Sequence, residues 1–316
     1  MPELPEVETV RRGLEPALVG RRFARVTLRR PDLRFPFPDG FVQHVTGARV
    51  EALWRRAKYL LATLSTGETL VMHLGMTGRF RIETPADAEE PGGFYHELPP
   101  HPAHDHVVFE MEGGPTVVYN DVRRFGFMTL LPADRIDETP PFLGMGIEPL
   151  GPELDGARLA GLLAGRRTPL KAALLDQRLV AGLGNIYVCE ALFRAKLSPE
   201  APAGSVATPK GKPRAAAILL ATAIRAVLEE AVAVGGSTLR DHAQVDGNAG
   251  AFQERFRVYD REGEPCVTAG CRGVVRRLVQ AGRSSFYCPD CQKPPRDAPS
   301  LRSSAPRRRP PVAAEG

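Results

Sequence analysis

The 316-residue sequence has no apolar run that approaches the ~20 residues a membrane-spanning helix needs. It also lacks the basic patch and apolar stretch of a secretory signal, because its first residues, MPELPEVETV, carry acidic side chains instead. The hydrophobic fraction of 43% and the charged fraction of 25% are ordinary for a globular protein. From these features we predict a cytoplasmic protein that does not engage a membrane.

Cysteine is scarce, and its spacing is informative. Five cysteines in a chain predicted to be cytoplasmic argue against a disulfide framework. Four of them form the pattern Cys266-x4-Cys271-x16-Cys288-x2-Cys291, in which two close pairs can aim four thiolates at one point. This pattern predicts one structural zinc ion with a closed coordination sphere and no open catalytic position. Cys189 lies in a helical pattern and is interpreted as a small buried residue.

The chain also lacks a uniformly basic body. Its net charge is +5, but the segment from Pro294 onward has five arginines against two acids and contributes +3 of that total. The remaining cations are clustered, since residues 255–293 hold eight Lys/Arg against four Asp/Glu. Phosphate binding depends on where cations lie, so this cluster predicts a local contact with a polyanion. The Pro-, Ser- and Arg-rich tail is predicted to be disordered.

The chain is predicted to have an α+β fold. Leu4, Val7, Val10 and Leu14 follow helical spacing. Short apolar runs such as YLLATL and TVVYN, separated by Gly, Pro and Asp, predict an antiparallel β domain up to Leu131. A Pro-rich linker and then apolar helical patterns follow, and short strands surround the cysteines. The predicted boundaries are 1–135 for the β domain, 136–150 for the linker, 151–254 for the helical domain, 255–293 for the zinc finger and 294–316 for the tail.

The amino terminus offers a nucleophile. Removal of Met1 would expose the secondary amine of Pro2, and an α-amino group with a pKa near 8 keeps a usable neutral fraction at neutral pH. Attack of such an amine on a sugar C1′ gives an iminium, the covalent strategy of lysine Schiff bases. Glu3 and Glu6 lie within one helical turn and could act as an acid or an orienting group. The alternative is that Pro and acids merely favour a helix N-terminus.

Four further motifs allow both a structural and a functional interpretation. Lys58 in RRAKYLL is either a phosphate contact or a solvated cation. Met76 in HLGMTG, and Arg123 with Phe125 in DVRRFGF, lie in glycine-containing turns, where they are either core residues or wedges that hold a kinked duplex open. GLGNIY, with Asn185 after Gly182 and Gly184, is either a plain glycine-rich connection between two helices or a tight turn whose backbone N–H groups could bind a phosphate.

These motifs occur in an order that resembles one family. PELPEVETVRRGL, RRAKYLL, HLGMTG, DVRRFG, GLGNIY, GGSTLRD and the four-cysteine finger together resemble the formamidopyrimidine-DNA glycosylases, from Met1 to about Lys293. The resemblance implies an N-terminal β-sandwich, a helix–two-turns–helix domain and a zinc finger with a β-hairpin. Damaged double-stranded DNA is the implied partner, bound by a monomer in the cleft between the domains.

The resemblance also implies roles for individual residues. Pro2 is the nucleophile, Glu3 the general acid, Lys58 a phosphate contact that supports β-elimination, and Arg283 the group that supports δ-elimination. A second set is implied to contact DNA or fill the void left by an extruded base: Met76, His104, Arg123, Phe125, Arg166 (or its neighbour Arg167) and Asn185. The segment 237–253 is implied to form a lid. No catalytic metal or organic cofactor is implied.

Two alternatives stay open from the sequence. Within the same fold, an endonuclease VIII-type enzyme would act on oxidised pyrimidines, although PELPEVE, HLGM and DVRRFG favour the purine enzyme, whose implied substrates are 8-oxoguanine opposite cytosine and formamidopyrimidines. In a different class, a non-catalytic zinc-finger protein would bind duplex DNA without a covalent intermediate. The presence of Pro2, Glu3 and Lys58 disfavours that second alternative.

Overall fold

Two antiparallel sheets form the N-terminal part of the computed structural model, which describes residues 1–84, 88–92, 101–237 and 252–293. One sheet has the order β1-β7-β8-β5-β6 and the other has the order β2-β3-β4-β9. The strands are β1 (Phe23–Leu28), β2 (Val50–Arg56), β3 (Tyr59–Leu64), β4 (Glu68–His73), β5 (Gly78–Glu83), β6 (Ala88–Glu89), β7 (Asp105–Met111), β8 (Thr116–Asp121) and β9 (Phe127–Pro132).

The sheets enclose one apolar core. Phe23 and Phe109 from the first sheet, and Leu60 and Met72 from the second, belong to the same buried cluster. Within β3, for example, Leu60, Ala62 and Leu64 belong to this core, because every second side chain of a strand points to the same face. The predicted antiparallel β domain is therefore confirmed. The first sheet ends in the short edge strand β6, which pairs with β5.

Helix α1 (Leu4–Leu18) connects the two halves of the molecule. Its first buried residue, Leu4, belongs to the core of the helical half, whereas Val7, Val10 and Leu14 belong to the core of the sandwich. The helix is four residues longer than the periodic pattern that ends at Leu14, and it continues through Pro16. As a result, the residues just before α1 lie where the two halves meet.

The helical half contains α3 (Gly156–Leu163), α4 (Leu170–Leu174), α5 (Asn185–Arg194) and α6 (Ala215–Ala233), while the short α2 (Phe41–Val45) belongs to the sandwich. Asp155 caps α3 by accepting a hydrogen bond from the Arg158 N–H at 2.7 Å, which satisfies a free amide of the first turn. The long α6 packs on both α3 and α5. In the described part of the chain, no helix combines the length and apolar character required to span a membrane.

The C-terminal part is a two-stranded hairpin of β10 (Arg276–Gln280) and β11 (Arg283–Tyr287), as predicted. It packs on α5 through a small cluster that contains Cys189, Phe193, Val258 and Phe286. The mixed α+β fold with a sandwich, a helical domain and a cysteine-bearing hairpin is confirmed. The segments predicted as the lid (237–253) and the tail (294–316) lie largely or wholly outside the described residues.

Candidate active site and DNA-binding cleft

Two adjoining cavities open beside the amino terminus. The first, the Lys58 cavity, has a volume of about 320 Å³ and is lined by Met1, Lys58, His73 and Arg283, among others. The second, the Asn185 cavity, has a volume of about 490 Å³ and its walls include Met1, Met76, Asn185 and Arg283. Met1 and Arg283 line both cavities, so the two form one cleft with the chain terminus at its centre. Residues that are up to 282 positions apart in sequence meet there.

The Glu3 carboxyl group is buried next to the terminus. Its Oε1 accepts a hydrogen bond from the Ile186 N–H at 3.1 Å, whereas Oε2 is buried and has no hydrogen-bond partner among the described residues. Burial, together with the nearby charge of Glu6, raises the pKa of Glu3. A Cβ at position 184 would lie 2.1 Å from the Glu3 carboxyl carbon, so Gly184 is required for this close approach. One backbone N–H of the GLGNIY motif, that of Ile186, is therefore bound to Glu3 and is not free for a phosphate.

The terminal amino group lies in the same buried environment. The chain described here retains Met1, so the Pro2 nitrogen is an amide and the free amine belongs to Met1. Burial lowers the pKa of that amine, and the cations of Lys58 and Arg283 lower it further, while Glu3 and Glu6 oppose the shift. An amine with a lowered pKa has a larger neutral, nucleophilic fraction at neutral pH.

Glu6 holds this end of α1 in place. One carboxylate oxygen accepts a hydrogen bond from the Glu3 N–H at 2.8 Å. The other accepts hydrogen bonds from the Tyr187 hydroxyl and from the Ser237 N–H, the latter at 2.9 Å. Sequence reasoning missed Tyr187, because it lies 181 residues from Glu6 and no local pattern connects them.

Lys58 follows Ala57 in the two-residue turn between β2 and β3. Its side chain is 8% exposed, and its Nζ donates a hydrogen bond to the Leu183 carbonyl at 3.2 Å. Burial lowers the pKa of Lys58, the charge of Glu3 opposes that shift, and the cation of Arg283 adds to it. The lysine is therefore not the freely solvated cation of the alternative interpretation.

His73 also lines the Lys58 cavity, although sequence reasoning did not single it out within HLGMTG. Its Nδ1 accepts a hydrogen bond from the Gly75 N–H at 3.0 Å, and its ring stacks on Phe127 at 5.5 Å between centroids. Burial, with the charges of Lys58 and Arg34, lowers the pKa of His73 to about 4. At neutral pH the ring is therefore uncharged, with its proton on Nε2.

Met76, Arg123 and Phe125 lie on two neighbouring turns. Met76 is 40% exposed and Phe125 is 42% exposed, which contradicts the alternative interpretation of both as core residues. The Arg123 guanidinium carbon lies 4.6 Å from the centroid of the Phe125 ring, a cation–π contact. A cation and two apolar side chains are thus exposed together beside the cleft.

The remaining predicted contacts lie at different distances from this cleft. Asn185 begins α5 and lines the Asn185 cavity, and its buried Oδ1 has no hydrogen-bond partner in the described part of the chain. His104 is half-buried at the end of a short 3-10 helix, Pro102–His104, and lines neither cavity. Arg166 is exposed between α3 and α4, where its Nε donates to the Leu162 carbonyl at 2.8 Å, and it too lines neither cavity.

The four predicted zinc ligands converge. The Sγ atoms of Cys266, Cys271, Cys288 and Cys291 all lie within 4.8 Å of one another. Three of the Sγ–Sγ distances are 3.5, 3.7 and 3.8 Å. Tetrahedral zinc with Zn–S bonds of about 2.3 Å requires sulfurs about 3.8 Å apart, so these residues fit the metal. Gly273 leaves room for the cluster, since a Cβ there would lie 2.8 Å from the Cys288 sulfur.

Three family models match the chain. The formamidopyrimidine-DNA glycosylase N-terminal domain matches residues 1–128, and the H2TH domain of the same family matches residues 145–243. A zinc finger found in the same glycosylases and in isoleucyl-tRNA synthetase matches residues 263–294.

Whole-chain comparisons agree with these matches. A formamidopyrimidine-DNA glycosylase of Methylobacterium sp. strain 4-46 is 65% identical over 297 residues, which cover 93% of this chain and 100% of the relative. The MutM (Fpg) structure of Thermus thermophilus is 42% identical with a TM-score of 0.74, and covers 93% of this chain and 100% of its own.

A complex of Lactococcus lactis Fpg with DNA that contains an abasic site is 32% identical, with a TM-score of 0.76. That match covers 92% of this chain and 100% of the Lactococcus chain. The resemblance predicted from the sequence motifs is thus confirmed, and the chain belongs to the formamidopyrimidine-DNA glycosylase family.

Proposed function

We propose that the protein excises oxidised purines, namely 8-oxoguanine opposite cytosine and formamidopyrimidines, from duplex DNA and then cleaves the strand by β,δ-elimination. The observation that carries this proposal is the shared cleft, in which the amino terminus lies with Lys58 and Arg283 beside the buried Glu3. Lyase chemistry needs a weakly basic amine, an acid and cations within reach of one sugar, and this cleft provides each of them.

Pro2 acts as the nucleophile once Met1 has been removed. Its secondary amine attacks C1′ of the damaged nucleotide, the N-glycosidic bond breaks, and the base leaves. The sugar ring opens to a covalent iminium between Pro2 and C1′. The environment supports this role: burial, together with the cations of Lys58 and Arg283, lowers the pKa of the Met1 amine, and the Pro2 amine would lie one residue away from it.

Three side chains complete the reaction. Glu3 donates a proton to the sugar ring oxygen during ring opening, which its raised pKa supports because a protonated fraction persists at higher pH. Lys58 binds the phosphate and assists β-elimination, in which C2′ loses a proton and the C3′–O bond breaks. Arg283 assists δ-elimination, in which C4′ loses a proton and the C5′–O bond breaks. The product is a one-nucleoside gap with phosphates at both ends.

DNA binding uses the turns and helices around the cleft. Met76 and Phe125 fill the void left by the extruded base, and Arg123 faces the orphan cytosine. These roles are supported by the exposure of both apolar side chains and by the contact of Arg123 with the Phe125 ring. Extrusion costs a few kcal/mol, so both a wedge and an electrostatic clamp are needed. The further DNA contacts proposed are His104, Asn185 and Arg166, with Arg167 as the alternative to the last.

One zinc ion held by the four cysteines keeps the hairpin of Arg283 in shape. Closed tetrahedral thiolate coordination leaves no open position for catalysis, so neither a catalytic metal nor an organic cofactor is proposed. The protein is proposed to act as a monomer. The site of action proposed is the cytoplasm, where bacterial chromosomal DNA lies. The domain division at 135, 150, 254 and 293 is likewise a proposal.

The proposal is tested by borohydride trapping on a duplex with 8-oxoguanine opposite cytosine, followed by peptide mapping. Wild type should form a covalent adduct at Pro2, and mass spectrometry of the free protein should show that Met1 is absent. Pro2→Gly should form much less adduct. Pro209→Gly, a matched change in an exposed turn, should trap like wild type.

Other outcomes would replace the proposal. An adduct with an oxidised pyrimidine but none with 8-oxoguanine would indicate the endonuclease VIII-type activity. Tight binding to damaged duplex without any adduct would indicate a non-catalytic DNA-binding protein. An adduct that maps to a lysine would preserve the lyase activity but remove Pro2 as its nucleophile.

A further inference from the structure

The segment Gly146–Glu148 lies between the two halves of the molecule and is bonded to both. On the helical side, the Gly146 N–H donates to the Gln177 carbonyl at 2.8 Å, and the Ile147 N–H donates to the Leu179 carbonyl at 3.2 Å. The Ala181 N–H donates back to the Ile147 carbonyl at 2.8 Å. Residues that the sequence predicts as an interdomain linker are therefore held like a short strand against the loop that precedes α5.

On the sandwich side, the Glu148 carboxylate binds the turn that carries Lys58. Its Oε1 accepts from Arg55 at 2.7 Å, and its Oε2 accepts from Arg56 at 3.3 Å and from the Ala57 N–H at 2.9 Å. The Arg55 side chain is only 8% exposed and the Glu148 side chain 21%. Charge-assisted hydrogen bonds in such a partly buried setting are stronger than neutral ones.

The turn needs this support because Ala57 has a left-handed backbone conformation, with φ of +52°. A residue with a Cβ is disfavoured in that region. Glu148 binds the Ala57 amide, while the Arg55 guanidinium donates to the Ala57 carbonyl at 2.8 Å. Both polar groups of the strained residue are thus held by one ion pair, and the next residue along the chain is Lys58.

The other end of Lys58 is fixed by the same loop of the helical half. Lys58 Nζ and Gln177 Nε2 both donate to the Leu183 carbonyl, at 3.2 and 2.9 Å. A series of contacts thus leads from Gln177 through Gly146, Glu148 and Ala57 to Lys58. Its two end residues, Gln177 and Lys58, bind the same Leu183 carbonyl. Glu148 itself does not line the Lys58 cavity, so it cannot touch the reacting atoms there.

We propose that Glu148 is a positioning residue for Lys58: by holding the left-handed turn at Ala57 and joining it to the helical half, it sets where the Lys58 ammonium lies in the cleft. This inference rests on the proposed role of Lys58 in elimination. It assigns to Glu148 an effect on the rate of strand cleavage that is exerted only through Lys58.

A double-mutant cycle tests the inference on a duplex with an abasic site, under single turnover. Glu148→Gln, which keeps the side-chain shape, should slow strand cleavage about tenfold. Lys58→Ala should slow it at least as much, and the double variant should equal Lys58→Ala within about twofold. Glu138→Gln, whose exposed carboxylate pairs only with Arg135 among the described residues, should behave like wild type.

Rescue supplies the second measurement. Glycine adopts left-handed conformations without the Cβ penalty, so Ala57→Gly should restore about threefold or more of the rate lost in Glu148→Gln. If Glu148→Gln folds poorly, Glu148→Asp, which keeps the charge, replaces it, and its rate is compared with and without Ala57→Gly.

Three results would overturn the inference: an unchanged rate in Glu148→Gln, a full additional loss of rate when Glu148→Gln is placed on Lys58→Ala, or a failure of Ala57→Gly to restore any rate. An unchanged rate in Lys58→Ala alone would instead remove the proposed role of Lys58, and with it any action of Glu148 through that residue.

Discussion

The hydroxyl of Thr77 donates a hydrogen bond to the carboxylate of Asp121, with the two oxygens 2.5 Å apart. The same hydroxyl accepts a hydrogen bond from the Arg123 N–H at 3.0 Å, and the other Asp121 oxygen accepts from the Gly126 N–H at 2.8 Å. Asp121 is fully buried at the end of β8. One carboxylate therefore joins the turn that carries Met76 to the turn that carries Arg123 and Phe125.

Thr77→Val should weaken that connection. The change leaves a buried carboxylate oxygen without its donor, and we expect a loss of about 1–3 kcal/mol in the free energy of unfolding. Base excision from a duplex with 8-oxoguanine should slow more than cleavage at an abasic site, because only the former requires a wedge during extrusion. Single-turnover kinetics on the two substrates measures the difference. Thr222→Val, on the exposed face of α6, is the matched control, and equal slowing on both substrates would contradict the prediction.

Glu3→Gln should stabilise the protein at neutral pH while it removes excision activity. Burial raises the pKa of Glu3 above the unfolded value of 4.5, so the folded chain holds this proton to higher pH than the unfolded chain. Its contribution to stability is full below that unfolded value and is lost as pH rises through the folded pKa. Glutamine stays neutral and its oxygen can still accept from Ile186.

The melting temperature of Glu3→Gln should therefore exceed that of wild type at pH 7, and the two should converge below about pH 4. Differential scanning calorimetry across this range measures the effect, with the exposed Glu138→Gln as the control. A lower melting temperature for Glu3→Gln at neutral pH would show that its charged form is stabilised in the fold.

His73→Asn should reduce the loss of the free energy of unfolding as the pH falls below 6.5. The pKa of His73 is lowered from 6.5 to about 4, so between these values the unfolded chain binds more protons than the folded one. Stability is then full above pH 6.5 and falls as pH decreases toward 4. Asparagine can still accept from the Gly75 N–H but does not titrate.

Denaturant unfolding at several pH values gives the free energy of unfolding as a function of pH. Between pH 4 and 6.5, the slope of this free energy against pH should be smaller in His73→Asn by about 1.4 kcal/mol per pH unit. Parallel profiles for wild type and His73→Asn would refute the lowered pKa of this ring.

Cys288→Ser should remove both the metal and strand cleavage. The variant lacks one of four converging thiolates, so zinc measured by plasma mass spectrometry should drop from one ion per chain to a small fraction. Without the metal the hairpin that carries Arg283 loses its anchor. Cys189→Ser makes the same chemical change outside the sulfur cluster and should retain zinc. Full cleavage activity in Cys288→Ser would disprove the structural role assigned to the site.

The elements that the sequence predicts well are those with short-range signals. The run YLLATL predicts a strand because a short apolar run between turn signals is typical of a buried strand. It forms β3, and the strand Tyr59–Leu64 has the same bounds as the run. The four cysteines were found for a similar reason, since two tight pairs are local patterns. The order of seven motifs then identified the family, which single motifs do not.

The interactions that escaped prediction depend on tertiary contacts. Glu148 lies in a Pro-rich stretch that predicts a linker, and no local pattern reveals its contact with Arg55, 93 residues away. Asp121 was visible in DVRRFG, but its hydrogen bond to Thr77 spans 44 residues. Such pairs are decided by how the sheets and helices pack, so the sequence alone does not reveal them.

Helix α1 has a consequence for how a duplex is accommodated. Because Leu4 is packed in one core and Val7 in the other, a hinge motion between the halves would have to withdraw one of them from its core. Each such exposure costs about 1.5–3 kcal/mol. Glu3 directly precedes this helix, so a change in the angle between the halves would also displace the amino terminus. The cost of this exposure opposes a hinge motion, so we expect the angle between the halves to change little when a duplex binds and most of the bending to occur in the DNA.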